Sequence, residues 1–516
     1  MIGAMMRYLN CLVVLCLAGG VVLQAQEPRL GRINFPTSGS ATAQESFLRG
    51  VLYLHSFEYD SAREAFRAAQ ESDPQFTMAY WGEAMTRNHP VWNRRYRAQA
   101  LAALTKLGAT AEARLATAPT ERERMYLLAV ETLFADGPKA ERDTAYMYAM
   151  QDISLRYPED LEAQAFYALS LLGLNQGVRD YSSYMKAAAV AQDVFRANPQ
   201  HPGGAHYTIH AFDDAPHAPL GLRAAWAYSD IAPAAPHALH MTSHIFLALG
   251  MWDQVVERNE KAVELTHRGP GHYTAWLNYG LIQQGRYRDA VDRLVAAWGN
   301  LPDDARPGQR SYLVGMRAHY VFGSERWDDQ VLGWEIEVAD AGRRTRAIEA
   351  FTQGYAALRL GRRETAGHFL GQLRTIADEP GEDETPNAAA TPRILQLELE
   401  AMLAYDAGQV DQALLAARKA TRLEDGLPLE FGPPDIVKPS HELMGELLLE
   451  LNRPTEASRE FQAALLMAPK RARSLLGLSV AADRAGDVQT AARAEAQLDL
   501  IWHRADPEVR DQLTRR

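Results

Sequence analysis

The sequence predicts an all-α protein, a right-handed superhelical α-solenoid built from helix-turn-helix repeats. Alanine is abundant and runs of β-branched residues are scarce, which favours helices over strands. Small and aromatic residues recur at helical spacings in units that end in proline, and two histidine pairs repeat 34 residues apart, a period typical of stacked helix pairs. A linear array of repeats also suits a chain of 516 residues, which is long for one compact domain.

The first repeat, residues 47–74, has the clearest pattern. Its second helix carries Ala62, Phe66, Ala69 and Pro74 at spacings of 4, 3 and 5 residues. These positions resemble the consensus of the tetratricopeptide repeat. Small residues let the two helices approach closely, the phenylalanine fills the space between them, and the proline ends the unit.

Further repeats follow along the chain, with two interruptions. The segment 93–119 is rich in arginine and alanine and has no clean repeat, and the segment 425–439 is a long insertion between repeats. Long insertions in solenoids often reach over the concave face, so we interpret residues 425–439 as a candidate lid. The later units are predicted at residues 184–199, 220–233, 285–297, 354–370, 408–420, 445–469 and 486–491.

We predict five parts of the chain from these patterns. They are an export signal at residues 1–25, a lead-in at 26–43, a solenoid with a central histidine site at 44–377, an acidic linker at 378–391 and C-terminal repeats at 392–516. The linker is predicted because its acidic residues stand among proline and glycine.

The first 25 residues are typical of an export signal. Arg7 precedes a short apolar run that ends near the small residue Ala25. The run is too short for a comfortable membrane span, so none is expected in the mature chain. Both cysteines, Cys11 and Cys16, lie in this segment, which excludes disulfides from the mature protein. We expect a periplasmic or extracellular protein.

The net charge and the absence of known catalytic motifs limit the classes of function that this sequence can have. The net charge of −11 disfavours nucleic acid as a partner, because phosphate binding needs a basic surface. The sequence contains no G-x-S-x-G or H-E-x-x-H motif and no cysteine nucleophile in the mature chain, so a hydrolase has no recognisable motif. These observations favour a binding protein and leave an enzymatic activity open.

Two consecutive repeats carry equivalent histidine pairs. His206 and His210 recur as His240 and His244, and the i, i+4 spacing places both rings of a pair on one helix face. In tetratricopeptide repeats these positions line the concave groove. Because neighbouring helices pack about 10 Å apart, rings from the two repeats can converge.

Converging histidines with a carboxylate form a normal coordination shell for zinc, copper or iron. The predicted metal ligands are His206, His210, Asp213, Asp214, His240 and His244. Two alternatives stay open. The histidines either hydrogen-bond carbonyl groups at a tight junction as structural residues, or, when protonated, bind an anionic ligand.

Other residues are predicted to share the groove or the core. The ligand groove is assigned His55, Glu83, His89, His237 and Tyr279. Secondary candidates beside the histidine centre are His217, His267 and His272. For His55 and His89 the alternative is a role in helix capping and turns. Five tryptophans are predicted to lie in the core: Trp81, Trp92, Trp226, Trp252 and Trp276.

The histidine repeats resemble an exported bacterial family of tetratricopeptide repeat proteins. The motif HYTIHA at residues 206–211 and the motif HALHMTSHIF at 237–246 match the paired-histidine signature H-Y-x-I-H-A…H-x-x-H-M-x-S-H-I. The stretches 54–66, 78–92 and 431–457 are also similar to that family. The resemblance implies the repeat fold and an important histidine region, and it implies no reaction because the family's function is largely unassigned. Asp213–Asp214 stands where the family commonly has a glutamate.

The sequence thus leads to one main hypothesis and two alternatives. The main hypothesis is an exported solenoid that binds a protein partner or small ligand in its concave groove, with a histidine-rich metal-binding centre. The first alternative is a metal-dependent enzyme, such as an oxidoreductase, that uses the same histidines. The second is an assembly scaffold in which the histidines are structural.

Overall fold

The computed structural model describes residues 28–175, 178–266, 271–381, 384–429 and 431–514. These residues form an all-α superhelical repeat fold of 25 α-helices, with one two-stranded hairpin and two short 3-10 helices, which confirms the predicted fold class. Among the helices of these segments, none is long and apolar enough to cross a membrane. The predicted export signal and His267 lie outside the described residues.

The helices follow one another with short connections. The first part contains α1 (Ala41–His55), α2 (Tyr59–Ser72), α3 (Thr77–Met85), β1 (Asn88–His89), β2 (Arg94–Arg95), α4 (Arg97–Thr105), α5 (Ala111–Leu115), α6 (Glu121–Leu133), α7 (Lys139–Arg156), α8 (Leu161–Leu172) and α9 (Tyr181–Ala197). The central part contains α10 (Pro202–Phe212), α11 (Ala218–Ile231), α12 (Pro236–Ala248), α13 (Trp252–Thr266), α14 (His272–Gln283) and α15 (Tyr287–Gly299).

The last part begins with α16 (Pro307–Ser324) and a 3-10 helix (Gln330–Gly333). It continues with α17 (Arg343–Arg359), α18 (Arg363–Asp378), α19 (Pro386–Asp406), α20 (Val410–Asp425), α21 (Ser440–Glu450), α22 (Pro454–Met467), α23 (Ala472–Arg484), α24 (Val488–Ile501), a 3-10 helix (Trp502–Arg504) and α25 (Pro507–Thr514).

Phenylalanine rings packed between neighbouring helices explain the recurring pattern of glycine and phenylalanine in the repeats. The ring of Phe66 on α2 lies against Gly50 and Gly82, and a Cβ atom added at Gly50 would lie 2.7 Å from that ring. Phe461 on α22 has the same relation to Gly445, with a corresponding distance of 2.9 Å. Glycine on the first helices therefore makes room for the phenylalanine of the second helices, as the spacing in the sequence predicts.

The superhelix closes back on itself. Helix α1 contacts α10, and the backbone N–H of Arg32 donates to the carbonyl of Gln200 at 2.9 Å. Further along, the indole N–H of Trp252 donates to the carbonyl of Lys470 at 3.0 Å. Because these turns touch, the face that carries the histidines is buried instead of forming the open groove that the sequence predicts.

Two local predictions need correction. The predicted linker at 378–391 is shorter, because α18 extends to Asp378 and α19 already begins at Pro386, where Thr385 caps the helix and proline occupies its first turn. Two of the five tryptophans predicted for the core, Trp92 and Trp226, are each 42% exposed. Trp226 packs on Phe246 with ring centroids 4.7 Å apart, so it covers the edge of the core from outside.

Candidate metal centre

Three neighbouring helices, α10, α12 and α14, carry the histidines that the structure brings together. Every residue of α10 is buried, because this helix packs between α8, α9, α11 and α12 and also contacts α1. The six clustered histidines are His206 and His210 on α10, His237, His240 and His244 on α12, and His272 on α14. The first five are between 0% and 5% exposed. The predicted convergence of the two histidine pairs is therefore present.

Hydrogen bonds fix the tautomer of three of these rings. The Nδ1 atom of His206 lies 2.6 Å from the carbonyl oxygen of His55, and that of His244 lies 3.0 Å from a carboxylate oxygen of Asp213. The Nδ1 atom of His240 lies 2.7 Å from the amide oxygen of Asn259, whose amide nitrogen donates to Val255. Since these oxygens can only accept, each Nδ1 carries the proton and each Nε2 keeps a lone pair.

Two of these lone pairs face each other. The Nε2 atoms of His240 and His244 are 3.1 Å apart, and neither neutral ring has a proton on that nitrogen to share. Burial, together with neighbouring histidines, holds the pKa of His240 well below its usual range. Burial also lowers the pKa of His244, despite its hydrogen bond to Asp213. Because protonation is unfavourable at both rings, a metal cation is the group that best satisfies this pair of nitrogens.

A second set of ring nitrogens points into the same region. The Nε2 atoms of His206, His210 and His237 are buried, and no described residue forms a hydrogen bond with any of them. One ring nitrogen of each residue lies within 4.8 Å of the other two. A buried polar atom without a partner costs about 1–3 kcal/mol, and metal coordination would remove that cost. The Nδ1 atoms of metal-binding histidines are usually held by an acceptor in this way.

The two aspartates predicted as metal ligands lie behind the rings. Asp213 accepts from His244, lies 3.5 Å from the Nδ1 atom of His210 and forms an ion pair with Arg179. Burial alone would raise the pKa of Asp213, but Arg179 and the two histidines outweigh it and hold the pKa far below its usual range. Asp214 contacts Arg179 at 2.7 Å and His217 at 2.7 Å. Asp213 therefore orients two rings, and Asp214 anchors Arg179.

Predicted groove residue His55 belongs to a different cluster, which it forms with Glu162 and His201. Its Nε2 lies 2.6 Å from Glu162, and the Nε2 of His201 lies 3.2 Å from the other carboxylate oxygen. The remaining nitrogens are occupied as well, since Tyr207 contacts His55 at 2.8 Å and the Gly204 N–H donates to His201. Both ring nitrogens of His55 are therefore hydrogen-bonded, which suits the structural interpretation of this residue. The Nε2 atom of His201 and the Glu162 oxygen that faces it form no hydrogen bond with a described residue.

The pKa values of Glu162 and His55 indicate the charge state of this cluster. Burial opposes ionisation of Glu162, yet His55 and His201 outweigh it and lower the pKa of Glu162 to about 2. Burial lowers the pKa of His55, so an ionised Glu162 that accepts a hydrogen bond from a neutral His55 describes this pair.

Three other predicted groove residues lie in local structural contacts and do not join the histidines. Glu83 binds Arg67 at 2.8 Å and Lys106 at 2.7 Å. His89 stacks on Tyr59 with ring centroids 3.7 Å apart. The hydroxyl of Tyr279 accepts from Arg471 at 3.0 Å.

Aromatic rings from separate parts of the chain cover the centre. Phe57 lies 4.3 Å from His206, and Trp92, between β1 and β2, lies 5.8 Å from His237. Phe431, in the insertion interpreted as a lid, stacks on His244 with centroids 5.0 Å apart. The insertion therefore reaches the histidine centre, as expected from its length.

Phe57 has a backbone conformation unusual for a bulky residue. Its φ angle is +54°, in the left-handed region, while the corresponding turns of later repeats use a smaller residue, asparagine at Asn452 and glycine at Gly250, Gly285, Gly361, Gly408 and Gly486. The left-handed conformation costs a non-glycine residue roughly 1–2 kcal/mol. This strain is retained where the ring covers the histidines, which is typical of a functional position.

Sequence reasoning gave His272 only a secondary place and missed other members of the centre. His272 is 32 residues after His240, so it escapes the 34-residue period. Asn259 and Arg179 hold the rings and the carboxylates from second helices and loops, where the sequence gives no periodic signal. Only three-dimensional packing brings Phe57 and Phe431 to the same centre.

Comparison with known proteins identifies the repeat type. The family described as tetratricopeptide repeat matches residues 46–76, which include the whole of the predicted first repeat at 47–74. This segment is therefore similar to a tetratricopeptide repeat. No curated protein matches the sequence.

Solved structures of helical-repeat proteins are similar over most of the chain. The crystal structure of the APC/C hetero-tetramer Cut9–Hcn1 has 12% sequence identity and a TM-score of 0.33, with 92% of this chain and 76% of that chain covered. The human IFIT1 dimer with m7Gppp-AAAA has 15% identity and a TM-score of 0.35, with 90% and 91% covered. Neither likeness identifies a ligand or partner of this chain.

Proposed function

We propose that this chain is an exported solenoid protein that binds a transition metal at the histidines of α10, α12 and α14. The observation that carries the proposal is the 3.1 Å approach of the Nε2 atoms of His240 and His244, both of which carry lone pairs. A structural role would leave these nitrogens in mutual repulsion. A metal ion accepts both lone pairs and needs no proton.

The donor set favours zinc, copper or iron. All six side chains are imidazoles, which suit these metals, whereas calcium and magnesium prefer oxygen ligands. Burial holds the pKa of His206, His237 and His240 well below the usual range, so these three rings present lone pairs at neutral pH without competition from protons.

The ligand at this centre is a metal or a small molecule bound to it. A tetratricopeptide-type scaffold suits protein or ligand binding in general. Here, however, five of the histidines are at most 5% exposed, so a protein partner has no direct access to them. Protein partners would use other surfaces of the solenoid.

A metal-dependent enzyme, such as an oxidoreductase, is the second candidate function. It is favoured by the enclosure of the centre by Phe57, Trp92 and Phe431, since enclosed sites exclude water from a reacting metal. Three protein nitrogens per ion would also leave a coordination position open, as in catalytic sites. Azide added to the protein loaded with cobalt(II), an ion that absorbs visible light, should change its absorption spectrum if such a position exists. An unchanged spectrum would contradict this candidate.

Elemental analysis of the untagged mature protein tests the proposal. We expect metal in stoichiometric amount in the wild type and a loss of it in His240→Gln and His244→Gln. His368→Gln is the matched control, because His368 is exposed on α18 and should leave the metal content unchanged. Absence of bound metal in the wild type would contradict the proposal, and a loss of stability in His240→Gln would then assign the histidines a structural role.

A further inference from the structure

The six histidines fall into two sets of three, which we name the first and second triads. The first triad is His206, His210 and His237, and the second triad is His240, His244 and His272. In each triad, one ring nitrogen per residue lies within 4.8 Å of the other two. The triads are neighbours because α12 contributes to both.

The ring nitrogens, not the ring centroids, separate the two triads. In the first, the centroid of His206 lies 4.8 Å from that of His210 and 5.1 Å from that of His237. In the second, the centroid of His240 lies 4.5 Å from that of His272 and 5.0 Å from that of His244, whereas the centroids of His244 and His272 are 6.3 Å apart. Between the triads, the centroid distances are 5.8 Å for His210–His244 and 6.0 Å for His237–His240. Because these centroid distances overlap, the grouping rests on the ring nitrogens, which converge within each set of three.

We propose that the centre is dinuclear and that each triad binds one metal ion. This inference rests on the proposed function, because it presumes that the histidines bind metal. Donor nitrogens around a tetrahedral ion at about 2.0–2.1 Å are roughly 3.4 Å from one another. The 3.1 Å distance between His240 and His244 is already close to that value, and small rotations of the rings bring the other nitrogens to it. Ions in two-metal sites stand about 3.5–4 Å apart, which suits two adjoining triads.

One carboxylate links the two triads. Asp213 directs the same oxygen toward the Nδ1 atom of His210 in the first triad, at 3.5 Å, and that of His244 in the second, at 3.0 Å. Both rings therefore keep a proton on Nδ1 and present Nε2 to a metal. An arrangement with one orienting group for both triads is expected if the two ions act together.

Local charge favours monovalent copper for this pair of ions. Asp213 and Asp214 share the single cation Arg179, so these three groups carry one net negative charge. Two divalent ions would add four positive charges to a buried site and would require a small anion, such as hydroxide or azide, between them. Two copper(I) ions add only two charges, and imidazole is a ligand that suits copper.

Anaerobic titration of the metal-free protein with copper(I), against bicinchoninate as a competing chelator, tests the inference. We expect two ions per wild-type chain. His237→Gln alters the first triad and His272→Gln the second, so each variant should keep one ion and bind the other at least tenfold more weakly. His368→Gln, altered on the surface of α18, should bind two.

The outcomes separate this inference from the proposed function. One ion per wild-type chain would overturn the dinuclear centre and leave metal binding intact, whereas no bound ion would overturn both. If either variant fails to fold, as judged by circular dichroism, X-ray absorption of the copper-loaded wild type decides. A copper neighbour within about 5 Å supports the pair, and its absence in a sample with two ions per chain overturns it.

Discussion

Replacement of Asp213 by asparagine tests how the centre is held together. Asp213 forms a buried ion pair with Arg179 and accepts a hydrogen bond from His244. Breaking a buried ion pair from one side costs about 3–5 kcal/mol. Because Arg179 keeps Asp214 as a second partner at 2.7 Å, we expect the free energy of unfolding to fall by about 3 kcal/mol, the lower end of this range. Metal affinity should fall about 10–100-fold, because the asparagine no longer holds the His244 ring and its tautomer as firmly.

Urea unfolding of the metal-free Asp213→Asn protein measures the first effect, and chelator competition measures the second. The matched control is Asp193→Asn, because Asp193 and Arg196 form an ion pair with 61% and 72% exposed side chains. That control should change stability by at most about 0.5 kcal/mol. If Asp213→Asn matches the control in both stability and affinity, the orienting role of Asp213 is wrong.

Three further predictions follow from other parts of the molecule. Phe66→Ala should lower the free energy of unfolding by about 3–5 kcal/mol, because it leaves a cavity between α1, α2 and α3. A loss below about 1 kcal/mol in urea unfolding would contradict the packing role of the Phe66 ring. Glu162→Gln should destabilise the protein by about 3 kcal/mol above pH 4.5, because the pKa of Glu162 is lowered to about 2 in the folded state. The metal content of this variant should be unchanged, and a loss of metal would show that the His55 cluster belongs to the histidine centre. Burial would lower the pKa of His441, but hydrogen bonds to Glu460 and Asp425 raise it to about 9, so this group stabilises fully below pH 6.5 and its contribution is lost as the pH rises to about 9. The loss should be about 1–2 kcal/mol after screening at half-exposed Asp425, and His441→Gln should flatten that part of the stability profile in thermal unfolding.

The repeat pattern predicted most of the fold. Spacings such as Ala62–Phe66–Ala69 report directly on contacts between adjacent helices, and those contacts depend only on local register. The predicted linker at 378–391 is too long because a proline in a sequence has two interpretations. It ends a helix that precedes it, but it also fits the first turn of a new helix, as Pro386 does in α19. The acidic composition of the segment does not distinguish these two cases.

The sequence predicts only part of the candidate site. His206, His210, His240 and His244 converge as their period predicts, because equivalent positions on stacked helices face the same way. The burial of the centre was not predictable from the repeats, since it arises where turns of the superhelix touch and where Phe431 returns from far along the chain. His272 follows His240 by 32 residues, so the 34-residue period does not predict its place in the centre.

X-ray absorption at the metal edge, on protein purified without an affinity tag, tests the central claim most directly. The account predicts a bound transition metal whose first coordination shell consists mainly of imidazole nitrogens at about 2.0–2.1 Å. It also predicts that this shell disappears in a double variant of His240 and His244. A protein without metal, or with a metal surrounded only by oxygen in wild type and variant alike, would contradict the claim.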